Sequence, residues 1–170
     1  ALKVYRNNII KGGTMPSKIE PVSSDYDTLD GLNPSAAIID EYHAHTNDKL
    51  LKVIETGMGS RFNPLLFIIT TAGFNKEGPC FSLRKVGIDV LRGKKKDDAF
   101  LPVIFSINEG DEWTDPKVWI KSNPNLGVTP YLEYMNAMYL SAKNEGKSAE
   151  IEFRTKNLNE WTNVAQTWIS

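Results

Sequence analysis

The sequence predicts an α/β fold: a mostly parallel sheet with helices, followed by a helical region. Two short, wholly apolar runs at residues 36–39 (AAII) and 65–70 (LLFIIT) have the length and composition of central strands buried on both faces. Each is followed by a stretch with helical periodicity, at residues 47–58 and 79–91, and strand–helix alternation is the pattern of an α/β layer. A third apolar run at residues 99–107 extends the alternation.

In chain order, residues 19–23 (IEPVS) predict a short strand, weakened by Pro21, which cannot donate to a ladder. Residues 24–34 gather Asp, Gly, Asn and Pro, the chemistry of turns. The helix over 47–58 takes Asn47 as its cap and puts Leu50, Leu51 and Ile54 on one face. The 65–70 strand runs into Ala72-Gly73, and the helix over 79–91 stops near Gly93. Residues 108–130 are acidic and loop-rich, with Trp113 and Trp119; residues 131–144 and 149–161 predict two further helices. The expected division is a first part over residues 1–107 and a helical linker over 108–170.

With 170 residues and 41% hydrophobic content, the chain has the size of about one domain with a sizeable core. A net charge of -1 excludes a polybasic nucleic-acid binder on overall balance, but the charges come in blocks. Residues 61–96 carry 8 basic and 2 acidic groups, whereas residues 97–116 carry 6 acidic and none basic. Such blocks are ordinarily solvated faces; the basic one, with Arg84, Lys85, Arg92, Lys94, Lys95 and Lys96, also suits a polyanion. A single cysteine, Cys80, excludes an internal disulfide framework and a cysteine zinc site, fits a reducing compartment, and reads as a small core residue. The longest apolar run, residues 65–69, is far short of a membrane span. Ala1 is neither an initiator Met nor the start of a signal peptide, so the expectation is a piece of a longer protein.

The chemistry concentrates where the strands end. Residues 36–39 lead into Asp40 and Glu41, and in open α/β sheets ligands bind beyond the carboxyl ends of strands. A carboxylate there can hold Mg²⁺, and its neighbour can orient and deprotonate a water that attacks a phosphate. This is a Walker B pattern, although four apolar residues before Asp-Glu also arise by chance. The second strand ends in Thr70-Thr71-Ala72-Gly73, which would share the same sheet edge and place a hydroxyl beside a γ-phosphate. A phosphate cradle is missing: Gly12-Gly13-Thr14-Met15-Pro16-Ser17-Lys18 has the wrong spacing for G-x-x-x-x-G-K-[ST], and Pro16 removes an amide donor.

Four stretches carry a family likeness. Residues 27–45 (DTLDGLNPSAAIIDEYHAH), 56–73 (TGMGSRFNPLLFIITTAG), 122–127 (SNPNLG) and 153–161 (FRTKNLNEW) resemble, in order, the large subunit of tailed-phage terminase, the DNA-packaging motor. The resemblance runs from about residue 23 to 168. It implies an ATPase of the P-loop, additional-strand type joined to a nuclease with an RNase H-like fold. It further implies that Asp40 is the Mg²⁺-coordinating Walker B acid, Glu41 the catalytic glutamate, and Thr70, Thr71, Ala72 and Gly73 the motif coupling hydrolysis to DNA movement. The implied cofactors are ATP and Mg²⁺, and the implied partners are double-stranded DNA, the small terminase subunit, the portal protein and further copies in a ring. The implied setting is the cytoplasm of a phage or prophage host, with no membrane. The chain departs from the family in lacking a Walker A and in ending before the nuclease acids, so the expectation is the second half of the ATPase plus the linker, inactive alone.

Arg61 in a Gly-rich turn is a candidate for the arginine that reaches a neighbouring subunit's γ-phosphate, against the plainer role of fixing its turn. His43 and His45 lack a third ligand for a metal and read as satisfied or exposed. The aromatic residues from Trp113 onward read as core. The rival functions are another DNA-dependent P-loop ATPase such as a helicase, and a non-catalytic terminase interaction module.

Overall fold

A three-stranded antiparallel meander comes first: β1 (Leu2–Val4), β2 (Ile9–Lys11) and β3 (Ser17–Ile19), with Leu2 opposite Lys11 and Ile9 opposite Ile19. The computed structural model describes residues 2–22 and 31–163. The strand expected over 19–23 ends at Ile19, just before Pro21, and residues 23–30, which hold most of the expected turn, lie outside the described residues. The Gly12–Lys18 sequence is the hairpin connection between β2 and β3 and runs into β3 itself. A P-loop joins a strand to a helix, so the topology agrees with a plain loop here.

The two predicted apolar strands are β4 (Ala36–Asp40) and β5 (Leu65–Ile69); they pair in a parallel two-stranded sheet, joined through α1 (Lys49–Gly57). Burial on both faces is not what they show. Ile39 is 4% exposed, but Ile38 is 71% and Leu65, Phe67 and Ile69 are all exposed. A strand is covered on both faces only when layers lie above and below it, and the described residues leave alternate positions of β5 open.

Two compact units emerge, one from described residues among 1–37 and 48–66, the other from 38–47 and 67–170. In the first, Leu50, Leu51, Ile54 and Met58 are buried, as the helical period of α1 requires. Asp48 rather than Asn47 occupies the cap position. Gly57 is needed for packing: a Cβ there would stand 2.6 Å from the Leu32 carbonyl oxygen.

In the second unit, α2 (Pro79–Leu91) begins with proline at its first turn, where the missing N–H costs nothing. It ends before Gly93, whose φ of 68° is a left-handed stop suited to glycine. The strand expected over 99–107 does not form. Residues 101–107 alternate between exposed and covered positions, but they have no ladder partner among the described residues. Instead the run lies against α2, with Pro102 so near Gly87 that an added Cβ would approach it to 3.0 Å. It is held by Ile107 N–H donating to the Leu158 carbonyl and Asn159 Nδ2 donating to the Phe105 carbonyl. A strand requires a hydrogen-bonded neighbour; this segment is tied by a loop and a side chain.

The acidic stretch is ordered by its own carboxylates. Asp111 accepts from Asn108 N–H and Lys121, and Asp115 caps a 3-10 turn over Pro116–Lys121 by accepting from Lys117 N–H. Helices α3 (Leu132–Asn144) and α4 (Lys147–Lys156) follow and pack together. Ile107, Trp119, Met135, Ala142, Phe153 and Leu158 form the buried cluster, with Trp113 and Tyr139 against it, so Trp113, Trp119 and Tyr139 are core as expected, whereas Tyr131 and Tyr134 are exposed. α4 stops five residues earlier than expected. Asn159 adopts a left-handed φ of 50°, and Arg154 forks onto Glu160 at 2.7 Å through both Nε and Nη2.

Candidate functional site

The carboxyl end of β4 bends sharply. Asp40 Oδ1 accepts from the Glu41 N–H at 2.9 Å, and the Glu41 carbonyl accepts from Ala44 N–H at 2.8 Å. Between these bonds Glu41 sits at φ 52°, ψ 43°, a left-handed conformation uncommon for a side-chain-bearing residue and costing about 1 kcal/mol. The 3-10 turn Tyr42–Ala44 follows, anchored by the fully buried Tyr42, and packs on α2. Glu41 is therefore held in a strained backbone by fixed neighbours while its carboxylate remains well exposed.

The end of β5 meets this bend. The Thr70 hydroxyl oxygen accepts from the His43 N–H at 2.9 Å and donates to the Thr71 carbonyl at 2.9 Å. The Thr71 hydroxyl donates to the Ala72 carbonyl, and Ala72 N–H donates to Asn159 Oδ1 at 3.1 Å. Ala72 and Gly73 are buried. A Cβ on Gly73 would stand 3.1 Å from His43 Cβ and 3.4 Å from the Trp161 ring. Gly73→Ala is therefore expected to displace the turn and lower stability by about 1 kcal/mol or more, read as a shift of the urea midpoint at unchanged slope.

His43 joins the two strand ends. Its Nδ1 lies 3.0 Å from Glu41 Oε2 and 3.1 Å from Thr70 Oγ1, and its Nε2 lies 3.2 Å from Lys156 Nζ at the end of α4. Burial lowers its pKa, with the Lys156 ammonium adding to that and the Glu41 carboxylate opposing it. The neutral ring is thus favoured. Cys80 is buried with its thiol 3.9 Å from Thr70 Oγ1, and burial raises its pKa, so it remains a neutral core thiol.

The remaining predicted residues make contacts of their own. Arg61 donates through Nε and Nη2 to the Asn33 carbonyl and so fixes its turn. Arg84 is half-buried and donates to Ser106 Oγ, with burial lowering its pKa. Lys85 is exposed over the Phe81 ring, and Arg92, Lys94, Lys95 and Lys96 are all exposed where α2 ends. The His45 ring packs tilted against Tyr42, with centroids 5.3 Å apart.

The donors at the sheet edge are hard oxygens, the carboxylates of Asp40 and Glu41 and the hydroxyls of Thr70 and Thr71, a set that suits Mg²⁺ rather than a softer metal. Among the described residues no three His, Cys, Asp or Glu converge as a complete metal cage. One carboxylate is nonetheless a normal protein share for Mg²⁺, which keeps waters and phosphate oxygens as its other ligands.

Sequence reasoning overlooked His43 as a connector, along with Lys156, Asn159 and Trp161. The last three lie in the 153–161 stretch that carries part of the family likeness, but nothing in their spacing marks them as neighbours of residues 43 and 70–73.

Comparison with known proteins gives a consistent result. The family model for the terminase large subunit, ATPase domain, matches residues 1–87, and that for the terminase large subunit, endonuclease domain, matches residues 94–170. Protein YmfN of Escherichia coli (strain K12) is 43% identical over 141 residues, which is 83% of this chain and 31% of that protein. The terminase large subunit of Enterobacteria phage HK97 is 27% identical over 162 residues, 92% of this chain and 31% of that protein. The crystal structure of the HK97 bacteriophage large terminase shares the fold with a TM-score of 0.77 at 24% identity, over 94% of this chain and 33% of that one. The chain thus spans about a third of the length of these relatives.

Proposed function

The chain belongs to the terminase large-subunit family, and on that premise we propose that it forms the hydrolysis side of an ATP-driven motor that moves double-stranded DNA into a procapsid. The family is one of enzymes, with an ATPase and an endonuclease domain. The observation that carries the reading is the junction of Glu41 with the Thr70–Gly73 turn at one sheet edge.

In this reading Glu41 orients a water and takes its proton as the water attacks a γ-phosphate. Its strained backbone and exposed carboxylate fit such a role, because a general base must be fixed in place yet open to the reactant. Asp40 would hold Mg²⁺, which when bound supplies charge neutralisation on the phosphates. The turn 70–73, bonded to Asn159, would carry the change at the nucleotide toward α4 and beyond. The exposed Lys85, Arg92, Lys94, Lys95 and Lys96 are the proposed sequence-independent contacts to the DNA backbone, whereas Arg84 would act by fastening α2 to the 101–107 run. We assign residues 1–107 to the second half of the ATPase, because the 101–107 run packs on α2, and residues 108–170 to a helical region leading toward the nuclease. Small terminase subunit, portal and further copies in a ring are the proposed partners. The proposed setting is the host cytoplasm; no helix among the described residues is long and apolar enough to cross a membrane.

The test compares ATP hydrolysis by this segment alone with that of a complete large subunit, in which the segment continues a Walker A-bearing part. Hydrolysis is expected only in the complete subunit, stimulated by double-stranded DNA and without strand separation. Hydrolysis coupled to unwinding would point to a helicase instead. No hydrolysis, with binding to a packaging partner retained, would leave an interaction module.

A further inference from the structure

The ring that connects the two strand ends has all its polar atoms engaged. His43 Nε2 faces Lys156 Nζ, which carries only donors, so Nε2 must accept. In the neutral ring the proton then lies on Nδ1, which faces Glu41 Oε2 at 3.0 Å and Thr70 Oγ1 at 3.1 Å. The Thr70 hydroxyl is already committed as a donor to the Thr71 carbonyl, so toward His43 it can only accept. Every group in the chain therefore has one consistent direction: the Lys156 ammonium donates to Nε2, and Nδ1–H donates to Glu41 and Thr70. The backbone agrees, because His43 N–H also donates to Thr70 Oγ1. The ring is mostly covered, with only 14% of its side chain exposed, so its orientation is set by these partners rather than by water. Its Cβ lies against Gly73, the one residue in that turn with no side chain to push it away.

The geometry points to His43 as a positioning residue of the ATPase site, one that aims the Glu41 carboxylate through Nδ1–H and ties its orientation to the Thr70 turn and to Lys156 on α4. This rests on the reading of Glu41 as the base. The consequence is a physical path by which movement of α4, in the part of the chain matching the endonuclease-domain model, reaches the hydrolytic carboxylate: drawing Lys156 away releases Nε2, and the ring is then free to turn from Glu41. Because a misdirected base still leaves the nucleotide bound, the effect belongs in kcat rather than in KM.

Two measurements test it. In the 170-residue chain, long-range ¹H–¹⁵N correlation spectra should give His43 as the neutral Nδ1–H tautomer. In the complete large subunit, His43→Ala should lower kcat roughly 10- to 100-fold with KM for ATP nearly unchanged. His43→Gln, which can still donate and accept, should recover part of the loss, and His43→Phe, which only fills the space, should not. An Nε2–H tautomer in the wild-type chain, a wild-type kcat in His43→Ala, or equal losses in His43→Gln and His43→Phe would each overturn the inference. A wild-type complete subunit that hydrolyses no ATP would instead sink the assignment of Glu41 as base, and the tautomer measurement would still decide whether His43 is held as described.

Discussion

Glu41→Gln in the complete large subunit is expected to lower the rate of ATP hydrolysis by about 10²-fold or more, the usual contribution of a general base. The substitution keeps the shape of the side chain and leaves an amide oxygen to accept from His43 Nδ1, so the bend at the end of β4 survives. Nucleotide affinity should change little, since the lost function lies in the attack of water and not in holding phosphate. Steady-state kinetics with a parallel nucleotide-binding measurement checks both halves. A variant that hydrolyses ATP at the wild-type rate would remove Glu41 from the chemistry. The left-handed backbone at this residue offers a contrast: Glu41→Gly removes the carboxylate and also the cost of a Cβ at φ 52°, so loss of activity should come without the loss of stability that a damaged fold would give.

Trp119→Ala is expected to be the most destabilising single change in the helical region. The indole is fully buried, packs on Tyr139 and Phe153 with ring centroids 5.5 and 5.8 Å away, and donates from Nε1 to the Trp113 carbonyl at 2.9 Å. Truncation to alanine should cost about 3–5 kcal/mol through lost burial and the cavity left behind. The Trp113 carbonyl would also lose its donor, which adds to the cost if no water replaces it. Set against a typical total of about 5–15 kcal/mol for a domain, this would leave a substantial unfolded fraction. Urea unfolding followed by circular dichroism measures it, with Trp119→Phe as a milder comparison that keeps an aromatic ring in the cluster. A midpoint unchanged in Trp119→Ala would show that the cluster does not hold this region together.

Much of the candidate site could be proposed from sequence because its parts are local. Asp40 and Glu41 are adjacent, Thr70 to Gly73 are consecutive, and both follow apolar runs whose composition alone indicates a strand. α2 was readable at both ends, from Pro79 at its first turn and Gly93 just past its last. The burial of Leu50, Leu51 and Ile54 followed from the helical period. The meander β1–β3 was largely missed because three-residue strands mixing Lys with one or two aliphatic residues carry almost no periodic signal. The 99–107 run was misread as a strand because apolar alternation reports which side chains are covered, not whether the backbone has found a ladder.

The sequence by itself thus determined the kinds of chemical group at two strand ends, and through several short runs in order, the family. Only the tertiary structure decided how those groups are oriented. His43 looks incidental between Tyr42 and Ala44, yet it meets Thr70, 27 residues away, and Lys156, 113 residues away. Likewise Arg84 and Lys85 are neighbours in one basic run, but the first turns inward to Ser106 and the second stays in solvent. The physical reason is common to both cases. Composition and period act over a few residues, whereas the direction of a hydrogen bond is fixed by whichever donor or acceptor the folded chain brings within about 3 Å.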